Sequence, residues 1–215
     1  MPRITISKEN YLKAIAEAES EGETVKAVTV ARWLRVSAPA VTMACRRLQR
    51  DGLIGVASDG QITLTDAGRE IASRLLNRHH LIERMLTEIF GLEWYKVHEE
   101  AEHLEHAVSA DFERKLLERL GTGGLCPHGN GVGLDPPAHR RARGLRTLDE
   151  VEAGERVRVV SVFERNRELL EYLDEAGIRP GVVVEVAGAG DAIVLGSGAP
   201  VEREKAARVW VERAR

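Results

Sequence analysis

The densest group of possible metal ligands in the sequence lies between residues 76 and 120. His79 and Glu83 are four residues apart. A second group consists of His98, Glu102, Glu105 and His106. Its last three members lie four, seven and eight residues after His98. On a helix, each of these spacings places side chains on one face. Helical bundles hold metal ions with such stripes, and carboxylates mixed with imidazoles suit Mn²⁺, Fe²⁺ or Zn²⁺.

Other histidines and glutamates in this region are interpreted as surface residues and not as metal ligands. We expect the residues lying between the two stripes to form a solvated face: His80, Glu99, Glu100 and His103. Glu99 and His103 do not complete a hydrolase HExxH motif, because the paired histidine is missing. Cys126 and His128 follow in a Cys-Pro-His-Gly run. Alone this run predicts a turn with a buried thiol, but beside a metal-rich helical unit both residues become candidate ligands.

Charge is distributed unevenly along a chain whose net charge is −3. Residues 24–50 contain six basic residues and no acid, which is typical of a surface that meets phosphate. Residues 76–120 contain ten acids against six basic residues, and five of the seven histidines. One region is therefore suited to nucleic acid and the other to cations.

The composition predicts a globular protein of one to three domains, with 215 residues, 43% of them hydrophobic. We find no apolar run as long as a membrane span and no apolar export signal at the N-terminus. The two cysteines, Cys45 and Cys126, are too few for a disulfide framework, and Cys45 is interpreted as a packing residue. We therefore expect a cytoplasmic protein without a membrane partner.

The elements around the basic stretch predict a winged helix-turn-helix. A helix is expected over 7–20, with Ser7 as its cap, followed by a short helix in VARWLRV and a longer one beginning at Ser37. Two β-prone runs, 53–56 and 61–64, flank an Asp-Gly turn, and Thr65 and Asp66 cap a further helix. An ordinary α+β domain is the alternative, and the acid-free stretch favours DNA binding.

The remainder predicts two more domains. One helix is expected over 77–90, one long helix or two over 97–120, and a Gly/Pro-rich connector over 121–137. Short strands separated by glycines predict a small β-barrel from about residue 155. The expected fold is mostly α (α+β), with a winged helix at 1–75, a helical domain at 76–143 and an SH3-like, FeoA-like domain at 150–215.

Taken together, these motifs make the chain similar to the diphtheria toxin repressor family of metal-dependent regulators, over essentially its full length. The matching segments are ENYL (9–12), SAPAVT (37–42), RDGL (50–53), VASD (56–59), LTDAGR (64–69), RHHLIER (78–84), GLEWYKVHEEA (91–101) and EHAVS (105–109). The resemblance implies a homodimer that binds an operator in double-stranded DNA, represses metal-uptake genes and is not an enzyme.

The resemblance also implies two metal clusters. One would combine Asn10 with Glu102, Glu105 and His106, and the other would use His79, Glu83 and His98 with a ligand from the third domain. In streptococcal-type manganese regulators, the residues matching Cys126 and His128 join the residue matching Glu83. The third-domain ligand is left open among Glu164, Asn166 and Glu168.

Position 102 bears on the choice of metal. Iron-sensing relatives typically have Met at position 10 and Cys at position 102, so Glu102 makes this chain resemble the manganese-sensing branch. Asn10 departs from the Asp of many manganese sensors, although its uncharged amide oxygen can still coordinate a metal. Replacing sulfur ligands by oxygen also favours Mn²⁺ over later metals. We therefore expect Mn²⁺, with Fe²⁺ second. Other divalent transition metals are expected to bind in vitro.

In the expected mechanism, binding of the cation promotes recognition of DNA. A metal joining Asn10 to the dimer core would set the separation of two recognition helices to about 34 Å, the spacing of successive major grooves. Base-edge contacts are assigned to Ser37, Pro39, Ala40 and Thr42, and phosphate contacts to Arg46, Arg47 and Arg50.

Two alternative functions are considered. One is a winged-helix repressor that responds to a small molecule and has a purely structural helical domain, and the other is a metal-dependent hydrolase. We expect no small organic substrate, since the sequence contains no nucleophile motif or phosphate-binding glycine loop.

Overall fold

A computed structural model describes residues 4–131 and 135–214. The chain divides into two compact units. The first comprises the described residues up to Arg78 with residues 135–139, and the second comprises His79–Gly131 with residues 140–214. In the described part of the chain, no helix is long and apolar enough to cross a membrane.

The first unit is a winged helix-turn-helix, as predicted. Its elements are α1 (Ile6–Ser20), α2 (Ala27–Leu34), α3 (Ala38–Arg50), β1 (Ile54–Val56), β2 (Ile62–Leu64) and the first part of α4 (Asp66–Arg84). The strands pair antiparallel around the Asp59-Gly60 turn. The predicted cap of α1 was wrong: Thr5, two residues before Ser7, accepts a hydrogen bond from the backbone N–H of Lys8 at 3.4 Å.

The turn between α2 and α3 depends on one left-handed residue. Arg35 ends α2 with φ 53°, a conformation that a non-glycine residue adopts only at a steric cost. Ser37 then begins α3 with extended backbone angles. On α3, Val41, Cys45 and Leu48 are buried at spacings of four and three residues, so the opposite face stays exposed.

The helical part of the second unit differs from prediction at α4. Instead of a separate helix over 77–90, α4 continues from the wing to Arg84 and is followed by a π-helical turn at Met85–Ile89. The helix therefore carries residues of both units and crosses the domain boundary predicted at 75/76. Between 97 and 120 there are two helices, α5 (Val97–Leu104) and α6 (Ala110–Leu120).

The rest of the second unit is built on a six-stranded antiparallel sheet, ordered β3-β8-β4-β5-β6-β7. The helix α7 (Pro137–Ala142), which precedes the sheet, carries residues of both units. The elements that follow it are β3 (Arg146–Thr147), β4 (Arg156–Val162), α8 (Arg167–Glu175), β5 (Val183–Ala189), β6 (Ala192–Leu195), β7 (Pro200–Glu202), α9 (Arg203–Ala206) and β8 (Val209–Arg213). The apolar core of the sheet includes Trp94 from the helical part, which attaches the residues before α5 to the sheet.

Candidate functional site

The first part of the candidate site is formed where α4 meets α5. The His79 Nε2 atom lies 3.1 Å from Glu83 Oε1 and 3.0 Å from His98 Nδ1. His98 Nδ1 is in turn 3.3 Å from Glu83 Oε1. All three residues are at most 4% exposed. Two helices therefore bring three of the predicted ligands into one buried cluster.

A tight loop adds the Cys-Pro-His-Gly run to this cluster. The His128 Nδ1 atom lies 3.4 Å from Glu83 Oε1, and the Cys126 sulfur lies 3.8 Å from the same His128 nitrogen. Val162, in β4, donates its backbone N–H to the carbonyl of His128 at 2.9 Å, which docks the loop on the sheet.

Gly129 is what permits this docking. Its φ is +82°, and a Cβ there would lie 2.0 Å from the carbonyl oxygen of Val160. Because any side chain would force the loop away from β4, glycine is required for Cys126 and His128 to reach the cluster.

Among the three third-domain candidates left open by the sequence, Glu164, which follows the end of β4, lies beside the cluster. Its Oε2 atom lies 3.6 Å from Cys126 Sγ and 3.6 Å from His128 Nδ1, and its Oε1 atom lies 3.9 Å from His98 Nδ1. The Asn166 side chain instead caps α8 by accepting from the backbone of Leu169, and Glu168 is exposed. Of the three alternatives, only Glu164 faces the cluster.

The donor atoms form two overlapping groups, each within 4.8 Å. One group contains His79, Glu83, His98 and Glu164, and the other contains His80, Glu83, Cys126 and Glu164. Among the described residues, the buried Oε2 atom of Glu83 has no hydrogen-bond partner. A buried carboxylate oxygen without a donor is unfavourable, and a cation would satisfy it. These residues therefore fit a divalent metal.

Electrostatics keep both carboxyl groups ionised. Burial acts to raise the pKa of Glu83, but the imidazoles of His128 and His79 outweigh it and hold the pKa well below its usual range. Burial and the nearby charge of Glu83 also act to raise the pKa of Glu164. The imidazoles of His80 and His98 outweigh both effects and lower the pKa of its carboxyl group. The cluster thus contains two buried anions that require positive charge close by.

Two further groups hold protons that a metal would displace. Burial lowers the pKa of His98, but hydrogen bonds to Glu102 and Glu83 outweigh it and raise the pKa to about 10. Burial, reinforced by the charges of Glu83 and Glu164, raises the pKa of the Cys126 thiol well above its usual value. At neutral pH both groups are therefore protonated before a metal binds.

Outer contacts orient two of the imidazoles. His128 Nε2 lies 2.9 Å from the carbonyl oxygen of Trp94 and donates to it, which leaves Nδ1 to face Glu83 and Glu164. His79 Nδ1 lies 2.6 Å from Glu105 Oε2 and donates to it, which leaves Nε2 for the cluster. Such partners fix the tautomer and ring orientation of metal-binding histidines. Sequence reasoning missed the role of Trp94, whose indole N–H donates to Asp174 at 2.6 Å.

The residues of the other predicted cluster come from both units of the chain. Glu105 Oε1 lies 3.6 Å from His106 Nε2, but Glu102 pairs with His98 at 3.6 Å and with Arg165 at 3.2 Å. These three residues belong to the second unit, whereas Asn10 is on α1 in the first unit. They therefore stay candidates that rest on the sequence resemblance.

The predicted DNA-reading residues lie on the face of α3 opposite its buried stripe. All seven are exposed: Ser37, Pro39, Ala40, Thr42, Arg46, Arg47 and Arg50. The Thr42 hydroxyl donates to the carbonyl of Ala38 at 3.0 Å. Arg50 lies 3.5 Å from Asp51, so part of its charge is compensated locally. A helix with short polar residues near its start and arginines further along can enter a groove and contact phosphates.

Three family models match successive parts of the chain. Residues 3–61 match the iron dependent repressor N-terminal DNA binding domain, residues 65–132 match the iron dependent repressor metal binding and dimerisation domain, and residues 146–213 match the FeoA domain. The diphtheria toxin repressor of Corynebacterium efficiens is 36% identical over 197 residues, covering 86% of this chain and 85% of the relative. The iron-dependent repressor IdeR of Mycobacterium tuberculosis is 35% identical over 199 residues, covering 86% of each.

Solved structures are similar over the whole chain. A manganese-dependent transcriptional repressor in complex with manganese has a TM-score of 0.81 at 30% identity, covering 96% of this chain and 100% of that one. The manganese regulator SloR has a TM-score of 0.77 at 27% identity, covering 98% and 100%. The fold and the buried donors therefore define a class, the metal-dependent winged-helix repressors. This chain belongs to the diphtheria toxin repressor family, whose members are transcriptional repressors and not enzymes.

The protonated ligands predict a pH dependence for metal binding. Because His98 and Cys126 must each lose a proton to coordinate, and the pKa of each is raised without metal, affinity should rise with pH across the range of about 6 to 8. Calorimetric titration with Mn²⁺ in buffers of different ionisation enthalpy should detect released protons, and Cys126→Ser should release fewer. Affinity that does not change with pH would exclude both residues as ligands.

Proposed function

We propose that this protein is a homodimeric repressor that binds its DNA operator when loaded with a divalent metal, preferentially Mn²⁺ and secondarily Fe²⁺. The observation that carries the proposal is the buried cluster of carboxylates, imidazoles and a thiol in a chain that also has an exposed basic recognition helix. A cation bound there would supply the positive charge that Glu83 and Glu164 lack. Repression of metal-uptake genes is the corresponding regulatory role.

The donors come from four separate segments of the second unit. His79 and Glu83 are on α4, His98 is on α5, the Cys126 loop follows α6, and Glu164 follows β4. These segments meet at the negative charge of the two carboxylates, Glu83 and Glu164. Their mutual arrangement is therefore more favourable when a cation neutralises that charge. A ligand shifts a conformational equilibrium only when it binds one state better, and this site gives a metal that preference. Because α4 carries residues of both units, its ordering is the proposed route to the DNA-binding unit.

An exposed apolar surface on the helical part supports the dimer. Ile89 and Phe90, after α4, are 45% and 65% exposed, and Phe112 and Leu117, on α6, are 46% and 37% exposed. Exposed large apolar side chains occur at protein interfaces, where a partner covers them. We infer that a second copy of the chain covers this surface, in keeping with the dimerisation domain of the family.

Metal dependence of DNA binding is the central test. Duplexes selected from a random library with the Mn²⁺-loaded protein would serve as targets, with binding measured by fluorescence anisotropy in Mn²⁺ and in chelator. Couplings between sites are typically 1–3 kcal/mol, so Mn²⁺ should tighten binding by about 5- to 150-fold. Glu83→Gln should lose this stimulation, because a neutral amide removes one of the two buried anions.

The matched control is Glu168→Gln, which changes an exposed glutamate outside the cluster and should keep the stimulation. Circular dichroism would verify that both variants are folded. Equal wild-type binding in Mn²⁺ and in chelator would instead favour a repressor that responds to a small molecule.

Arg47 tests the proposed phosphate contacts of α3. Each phosphate contact adds about 0.9 to the slope of log affinity against log salt concentration. Arg47→Ala should therefore weaken binding to all duplexes and reduce the slope by about one unit. Arg213→Ala, an exposed arginine at the end of β8, is the control and should leave the slope unchanged. An unaltered slope for Arg47→Ala would remove this residue from the interface.

Glu102 tests the proposed preference for manganese. Its carboxylate is 39% exposed and lies near His98, so a different donor there would alter the edge of the cluster. Glu102→Cys should shift metal-stimulated DNA binding from Mn²⁺ toward Fe²⁺, Co²⁺ and Ni²⁺, because thiolate is the softer ligand. Glu100→Cys, on the exposed face of α5, is the control. Identical metal preferences for Glu102→Cys and wild type would show that Glu102 does not select the metal.

A further inference from the structure

His80 was expected on a solvated face, but it is a buried residue of the metal cluster. It is only 6% exposed, although it lies mid-helix on α4 among charged residues. Its Nε2 atom lies 3.6 Å from Glu164 Oε1. One of its ring nitrogens also lies within 4.8 Å of donor atoms of Glu83 and Cys126. The ring is therefore directed toward a thiol and two carboxylates together.

The position of Glu164 explains how two adjacent histidines serve the same cluster. Successive residues on a helix diverge by about 100°, so the His79 and His80 side chains leave α4 in different directions. Their ring centroids are 6.0 Å apart, and the ring planes are inclined at 69° to each other. His79 contacts Glu83 and His98, whereas His80 lies beside Glu164.

The two oxygens of Glu164 have separate surroundings. Oε1 faces the nitrogens of His80 and His98 at 3.6 and 3.9 Å. Oε2 accepts a hydrogen bond from the Asn130 amide at 2.6 Å and faces Cys126 and His128, each at 3.6 Å. The Asn130 contact orients the carboxylate so that Oε1 stays directed at His80. The nearby His80 ring is also among the causes that lower the pKa of Glu164.

We propose that His80 is a metal ligand, supplying an imidazole nitrogen to the group formed by Glu83, Cys126 and Glu164. The proposal rests on the metal-binding function proposed above and adds a residue to it. His128 Nδ1 lies beside the same carboxylates, so the group would offer one sulfur, two nitrogens and carboxylate oxygens.

This additional nitrogen contributes to the metal specificity of the group. Affinity of nitrogen and sulfur sites rises from Mn²⁺ through Fe²⁺ and Co²⁺, whereas carboxylate oxygens suit Mn²⁺. His80 therefore extends binding toward Fe²⁺ and later metals and weakens the preference for Mn²⁺. Without it, the group would be richer in oxygen and more selective for manganese.

The test compares cobalt and manganese binding by the full-length protein with His80→Gln. Co²⁺ reports a thiolate ligand through a charge-transfer band and its coordination sphere through d–d bands, and Mn²⁺ binding is followed by loss of the free-ion paramagnetic resonance signal. Even outer-sphere partners of metal ligands are worth 10- to 100-fold in affinity, so loss of a direct ligand should weaken Co²⁺ binding by at least about tenfold. The charge-transfer band of Cys126 should persist, the d–d bands should change, and Mn²⁺ affinity should fall less than Co²⁺ affinity.

The matched control is His103→Gln, because His103 is exposed on α5 and should leave spectra and affinities at wild-type values. Unchanged spectra and affinities in His80→Gln would overturn the assignment of His80 while leaving the metal site intact. Absence of the charge-transfer band and of Mn²⁺ binding in the wild type would overturn the proposed metal site itself, and the role of His80 with it.

A measurement on the wild-type protein covers the case in which the variant does not fold. With ¹⁵N-labelled histidine and Zn²⁺, a coordinated His80 ring nitrogen should show the large chemical-shift change of a metal ligand. The His103 ring should show none. A His80 nitrogen that does not respond to Zn²⁺, in a protein whose His79 and His98 rings do, would contradict the proposal.

Discussion

The charge balance of one buried cluster is the constraint on which the second unit depends. Glu83 and Glu164 are held ionised in a region of low dielectric, where an uncompensated carboxylate is far less favourable than in water. Without metal, imidazoles and a thiol proton compensate these anions. This arrangement is adequate for folding but leaves the Glu83 Oε2 atom without a hydrogen-bond donor among the described residues. A divalent cation is the ligand best suited to replace several protons at once.

The remaining structure holds those anions in place. The π-helical turn after Arg84, the close approach of Gly129 to β4, and the attachment of Trp94 to the sheet core each position a segment that carries donors. The register of β4 against β8 shifts between Val159 and Ser161, shortly before Glu164. A bulge changes the direction of the chain that follows it, and such features often occur next to functional sites. The sheet therefore contributes directly to the cluster.

Helical periodicity was sufficient to place His79 and Glu83 on one face of α4, because a spacing of four residues determines which side chains share a face. The grouping of His98 with these two residues was implied by the family resemblance and not by spacing. Periodicity could not identify Glu164, since a residue following a strand is brought to the cluster by sheet packing and not by local spacing. Periodicity also assigned His80 to solvent. It describes one helix at a time, whereas the His80 face is covered by the third domain through Glu164. The continuous α4 was missed for a similar reason, because two amphipathic patterns meet within it.

Sharing of ligands makes the two donor groups interdependent. Glu83 and Glu164 belong to both groups, so an ion in one group withdraws negative charge from the other. A second cation would then meet weaker attraction from the carboxylates and repulsion from the first ion. The residues unique to each group, His79 and His98 on one side and His80 and Cys126 on the other, decide which group binds first. Because one side offers two imidazoles and the other adds a thiol, the order of filling depends on the softness of the metal. The identity of the activating metal is therefore a property of the whole cluster, and no single ligand position specifies it.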